Sequence, residues 1–86
     1  MKAVKFDPEA FKEYLKWRDD NTNTFDRINQ VIMDTARDPF KGIGKPEPLK
    51  GNFRGYWSRR ITAEHRLIYK VENDTIIIAK CHGHYD

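Results

Sequence analysis

Residues 40–53, FKGIGKPEPLKGNF, hold three glycines and two prolines without any hydrophobic period, and they divide the chain into halves of different character. Before them, apolar residues recur every three or four positions, the spacing of a helix with one buried face. After them, β-branched and aromatic residues gather in short runs, the composition of strands. A chain of 86 residues supports one modest core that buries roughly 60% of its surface, so both halves must share it. The expected fold class is α+β, as a single domain over residues 1–86.

In the first half, residues 2–6 alternate polar and apolar and read as a strand closed by Asp7-Pro8. Aspartate at an N-cap followed by proline at the first helical position is a start signal, since the carboxylate accepts orphan N–H groups and proline has none to satisfy. The spacing predicts a helix over residues 8–19 with Ala10, Phe11, Tyr14, Leu15 and Trp17 on its apolar stripe. A polar cluster at 19–24 turns the chain. Asn23 or Thr24 is expected to cap a second helix that carries Phe25, Ile28, Val31, Ile32 and Ala36 and stops at Asp38-Pro39.

In the second half, residues 56–61, 66–72 and 75–81 read as strands, the last two joined at Asn73-Asp74, a pair that accepts the positive φ of a tight hairpin. The order is β-α-α-β-β-β: an antiparallel sheet with an N-terminal helical hairpin packed on one face. If Glu72 pairs with Thr75, then Tyr69 faces Ile78, Ile68 faces Ala79 and Arg66 faces Cys81, which brings Arg66 to the start of the tail His82-Gly83-His84-Tyr85. Arg60 shares a face with Arg66 only if a five-residue connection or a bulge separates their strands, and that is the register expected.

Charge is distributed unevenly over these halves. Residues 1–40 hold seven Lys/Arg and eight Asp/Glu, whereas residues 41–71 hold eight Lys/Arg against Glu47 and Glu64 alone. The positive field therefore coincides with the aromatics and points to a polyanion partner. No apolar run approaches the ~20 residues of a membrane span, and the N-terminus lacks the hydrophobic region of a secretory signal, so a cytoplasmic protein without a membrane partner is expected. The lone Cys81 forms no internal disulfide. No CxxC, HxxxH or HExxH spacing is present, so neither a metal nor any other cofactor is expected.

Several residues here suit RNA chemistry. Histidine as a residue type exchanges protons near neutral pH, and His84 lies past the last strand, where it is able to hand a proton to a leaving group. Arg59, Arg60 and Arg66 offer forked, permanently charged contacts to phosphate, although charge on strands also serves to discourage edge pairing. Glu47 is the only acid in residues 41–63; its Pro-Glu-Pro backbone is restrained, and Lys45 and Lys50 flank it, which suits a general base beside a phosphate. Tyr56, Trp57 and Tyr69 suit either stacking on unpaired bases or packing, with packing favoured for Trp57 and Tyr69.

The strings GKPEPLK and WSRRITAEHRLIY, continued by the ending AKCHGHY, closely resemble the YoeB toxins of the RelE-like (RelE/ParE) ribonuclease superfamily, and the resemblance spans essentially the whole chain. It implies the RelE-like fold and a type II toxin that cuts mRNA in the ribosomal A site, with mRNA, the ribosome and a YefM-like antitoxin as partners; self-association is in keeping with the family. By motif position, Glu47 is implied as general base, Arg66 as the phosphate-stabilising cation and His84 as general acid, with Tyr85, Arg60 and Lys50 in support. The tail departs from the family pattern. His82 and Gly83 stand where arginine and an aromatic are usual, and Asp86 follows the tyrosine, differences that bear on rate and codon preference. On the residues alone two other readings stay open: a basic module that binds RNA or protein without cutting, and a nuclease acting on free RNA.

Overall fold

The computed structural model describes residues 1–84. Strand β1 (Ala3–Phe6) leads into helices α1 (Pro8–Asp20) and α2 (Thr22–Arg37), followed by β2 (Glu47–Pro48), a 3₁₀ turn (Gly51–Phe53), β3 (Trp57–Arg60), β4 (Arg66–Glu72) and β5 (Thr75–Lys80). The five strands form one sheet in the order β1-β5-β4-β3-β2.

The expected α+β architecture holds, with two corrections to the sheet. It is mixed rather than wholly antiparallel, because β1 runs parallel to β5; side-chain alternation marks a strand but carries no sign of its direction. The proline-rich loop contributes a strand of its own, β2, which pairs antiparallel with β3. Proline is tolerated there because β2 is an edge.

Both helix caps differ from expectation. Asp7 ends β1 with its N–H donated to the Ile78 carbonyl, and it receives the Phe11 N–H on its backbone carbonyl; its carboxylate caps nothing. Asn21 alone separates the helices. It closes α1 by donating its N–H to the Trp17 carbonyl and caps α2 by accepting the Thr24 N–H on Oδ1 at 3.1 Å, which leaves no turn for Asn23 or Thr24 to cap.

The core lies between the helices and one face of the sheet. Ala10, Ile28, Val31 and Ile32 pack on Leu67, Tyr69, Ile76 and Ile78, with Phe6, Tyr14 and Trp17 closing its margin. The centre of β4 and β5 is also buried on the opposite face, where Ile68 and Ile77 lie. Two-sided burial explains why LIY and III read as unbroken apolar runs.

The β4–β5 register begins as expected, with Glu72 opposite Thr75 and Tyr69 opposite Ile78, and then shifts: Ile68 stands opposite Lys80, leaving Ala79 as the extra residue of a bulge. Arg66 in consequence meets Gly83 rather than Cys81, donating its N–H to the Gly83 carbonyl at 3.0 Å.

Candidate nucleic-acid site

Arg60 and Arg66 face each other directly across β3 and β4, joined by the five-residue connection that the shared face requires. Glu47 stands opposite Ser58, so it projects from that same outer face, diagonal to Arg60. Beyond Arg66, on the side away from β3, runs the tail. Across this end of the sheet the order is therefore Glu47, Arg60, Arg66 and then the backbone of Gly83 and His84.

The loop before β2 is held against β3 by backbone contact. Arg60 N–H donates to the Gly44 carbonyl at 2.6 Å, and a Cβ on Gly44, whose φ is +78°, would stand 2.8 Å from the Arg60 carbonyl oxygen. Only glycine permits that approach. Lys45 follows in the left-handed region at φ +53°, and Glu47 enters β2 two residues later.

At this end of the face the cations lack acidic partners, although Lys70 farther along pairs with Glu72. Among the described residues Lys45, Lys50, Arg54, Arg60 and Arg66 are in no ion pair, whereas Lys12, Lys16, Arg18 and Arg37 on the helices are paired with Glu9, Asp20, Asp19 and Asp34. Arg66 is anchored by one end only. Its Nη1 donates to the carbonyls of Thr62, Ala63 and His65 at 2.8, 3.2 and 3.1 Å, and its Nε and Nη2 have no partner among the described residues. Lys45, Glu47, Lys50, Arg60 and His84 are exposed, and the Lys80 Nζ donates to the His84 carbonyl at 3.4 Å. Tyr85 lies outside the described residues.

Arg59, expected as an RNA contact, is fully buried at 0% exposure. Strand alternation turns it toward the helices while Arg60 faces out. Its guanidinium donates to Asp34 Oδ2 at 2.7 Å, to Tyr69 Oη, and to the carbonyls of Asp38, Lys41 and Ile43. It thus ties the loop after α2 to the sheet and offers nothing to a nucleic acid. Asp34 also pairs with Arg37 and accepts the Ile43 N–H; the Arg37 contact above all, with the Ile43 and Arg59 hydrogen bonds, holds its carboxyl down at about 2.

Tyr69 is buried, with its hydroxyl donated to the Pro39 carbonyl at 2.6 Å, and Trp57 packs 4.9 Å from Phe40. Both are structural, as favoured. Tyr56 is on the outer face, with the Lys70 ammonium 5.4 Å from its ring centroid, and remains available to a base.

Three residues hold the tail, among them Trp17, which the sequence placed on the apolar stripe of α1 for packing alone. Trp17 Nε1 donates to the Cys81 carbonyl at 2.9 Å, Glu13 Oε1 accepts the Cys81 N–H at 2.8 Å, and His65 Nδ1 accepts the Gly83 N–H at 2.8 Å. No local signal marked Glu13 or His65 for this role, since their partners are backbone groups far along the chain. Cys81 itself is buried, and that burial, with Glu13 nearby, pushes its thiol up to about 12, so it is chemically quiet.

Residues 6–85 match the family described as YoeB-like toxin of bacterial type II toxin-antitoxin system. This chain belongs to that family. It is 52% identical over 85 residues to Toxin YoeB of Escherichia coli K12, covering 99% of this chain and all of that protein. Among solved structures, the YoeB/ParE toxin from Agrobacterium tumefaciens superposes with a TM-score of 0.93 at 40% identity, over 96% of this chain and 99% of the other. YoeB of Staphylococcus aureus, solved both in a YoeB-YefM complex and as a dimer, superposes with a TM-score of 0.89 in each case, at 42% and 41% identity and over 99% and 98% of both chains respectively. The protein is thus a YoeB-like toxin of a type II toxin–antitoxin system, with the fold of its relatives.

Proposed function

We propose that this toxin is an endoribonuclease that cuts mRNA in the ribosomal A site by metal-independent general acid–base chemistry. Glu47 takes the proton from an RNA 2′-hydroxyl, which attacks the adjacent phosphorus. Arg66, with Arg60, Lys50 and Lys45 around it, stabilises the negative charge that develops on the phosphoryl oxygens, and His84 protonates the departing 5′-oxygen, with Tyr85 in support. The products are a 2′,3′-cyclic phosphate and a 5′-hydroxyl. Because RNA supplies its own nucleophile, the step calls for neither a metal nor a covalent enzyme intermediate.

One observation carries this reading: a carboxylate, two guanidiniums and the histidine-bearing tail are gathered at one end of the outer sheet face, among cations that no acid of the described chain neutralises. A solvated basic face would not need the carboxylate there.

The partners follow by family. A YefM-like antitoxin and a second toxin copy are proposed from the relatives solved in those assemblies, with an acidic segment of the antitoxin covering the basic face or displacing the tail. No described helix is long and apolar enough to cross a membrane, and the site of action is proposed to be the cytoplasm, where ribosomes translate.

The test is cleavage of end-labelled mRNA with and without ribosomes, with analysis of the new termini. Glu47→Gln and His84→Ala should each lower the rate by roughly 10² to 10⁴, and an mRNA with a 2′-deoxy substitution at the cut should resist. Full activity of either variant would refute the assignment. Salt-sensitive binding without scission would show a non-catalytic module instead, and equal cutting without ribosomes a nuclease of free RNA.

A further inference from the structure

The tail that bears His84 contains Gly83 at φ +75° and runs on beyond the last residue of β5. A proton donor on such a segment needs something to hold it. Four hydrogen bonds from three elements do so. From α1, Trp17 and Glu13 take the carbonyl and the N–H of Cys81 at 2.9 and 2.8 Å. From the start of β4, Arg66 donates its N–H to the Gly83 carbonyl at 3.0 Å. From the connection before β4, His65 accepts the Gly83 N–H on Nδ1 at 2.8 Å.

The side chains also stack. The His65 ring stands 4.7 Å from Trp17, edge to face, and 4.7 Å from His82, whose ring is 5.4 Å from Trp17. On the helix side, Trp17 and His82 line a cleft of about 220 Å³ with Glu13, Lys16 and Asp20.

We propose that Glu13, Trp17 and His65 form a clamp that positions the tail, and that the Nδ1 acceptor of His65 sets where His84 stands relative to Arg66. The proposal rests on the reading of His84 as the proton donor. None of the three touches the reacting atoms; they act through the backbone of Cys81 and Gly83.

The acceptor role fixes the protonation of the ring. Nδ1 accepts only when it carries no proton, so the clamped form has neutral His65 with its proton on Nε2. The surroundings favour that form: burial first, then His82, lower its pKa from the ordinary 6.5, His84 and Arg66 act in the same direction, and Glu64 opposes them. From α1, the ring faces Trp17, which carries no charge. Acidification through this lowered value replaces an acceptor with a donor aimed at the Gly83 N–H, and that one of the four bonds is lost while those of Trp17, Glu13 and Arg66 remain.

Two substitutions separate the acceptor from the ring. His65→Phe keeps the stack on Trp17 and His82 and removes Nδ1, whereas His65→Asn loses the ring and keeps an acceptor at the Nδ1 position. In steady-state cleavage of ribosome-bound mRNA, His65→Phe is expected to lower kcat by roughly tenfold to a hundredfold with little change in KM, the scale of an ångström's misplacement. His65→Asn should stay within about threefold of the parent, and His65→Phe added to His84→Ala should cost nothing more, since a residue acting only through another is not additive with its loss.

In the unmodified toxin, the Gly83 amide resonance should shift along one titration with a midpoint below 6.5, a measurement that needs no variant to fold. Parental kcat in His65→Phe, equal losses in both His65 variants, or a Gly83 amide that does not titrate would overturn the clamp. Should His84→Ala keep its full rate, the proton-donor reading falls, and the Gly83 titration still decides whether the clamp exists.

Discussion

Arg60 stands directly opposite Arg66 across β3 and β4, and among the described residues neither is paired with a carboxylate. Like charges on opposed strand positions destabilise a sheet, by an amount on the order of 0.2–1 kcal/mol. A fold that keeps such a pair accepts lower stability for an anion-binding face. Arg60→Gln should therefore raise the thermal midpoint slightly while it weakens RNA binding and lowers the salt slope by about one. A lower midpoint would mean that the pair is not repulsive in place.

Its neighbour Arg59 should behave in the opposite way. Removing this guanidinium takes away the buried partner of Asp34, leaving it Arg37 and the Ile43 N–H, and strips donors from three loop carbonyls inside the fold. Breaking a buried pair from one side costs about 3–5 kcal/mol, so Arg59→Met should unfold at much lower denaturant. Arg59→Lys should recover little, because a single ammonium cannot span acceptors arranged for a fork. Equilibrium denaturation checks both, and a loss below about 1 kcal/mol would contradict the structural role, since that is the scale of an exposed pair.

Asp34 gives that network a pH signature. Its carboxyl sits at about 2 in the folded protein, against an ordinary 3.8, so the folded form favours the charged state. The corresponding stability is fully present above the ordinary value and is lost as pH falls from about 4 toward 2. Denaturation midpoints measured across that window should drop in the parent, and the drop should be smaller in Asp34→Asn. An equal slope in both would place the acid sensitivity elsewhere.

Much of this was legible in the sequence, and the misreadings share one cause. The helices, the three later strands, the Asn73-Asp74 turn and the facing of Arg60 and Arg66 follow from local periodicity and turn chemistry. The direction of β1, the pairing of Glu47-Pro48 and the bulge at Ala79 depend on what lies across the sheet, and local pattern carries no information about that. Arg59 shows the same limit at the scale of one residue. In WSRR two arginines are adjacent, alternation requires them to face opposite ways, and only the core decides which is inside. The tail clamp was invisible for a related reason, since Glu13, Trp17 and His65 act on backbone groups 68, 64 and 18 residues away.

The loop that carries Glu47 should depend on Gly44 in a way that Gly51 does not share. Both Gly44 and Gly51 have positive φ, +78° and +65°, but a Cβ at Gly51 meets nothing within 4 Å, whereas at Gly44 it stands 2.8 Å from the Arg60 carbonyl oxygen and 3.2 Å from the Arg60 nitrogen. Gly51→Ala should show the left-handed penalty alone, roughly 1–2 kcal/mol. Gly44→Ala adds a clash with backbone that cannot rotate away, so the loop must lift from β3 and lose the Arg60 N–H bond to the Gly44 carbonyl. Because β2 begins three residues on, that movement displaces Glu47 from its place diagonal to Arg60. Gly44→Ala should therefore lose both more stability and far more mRNA cleavage than Gly51→Ala, read by thermal denaturation and by single-turnover rates at a temperature where both are folded. Equal activities of the two variants would show that the approach of Gly44 to β3 does not position the carboxylate.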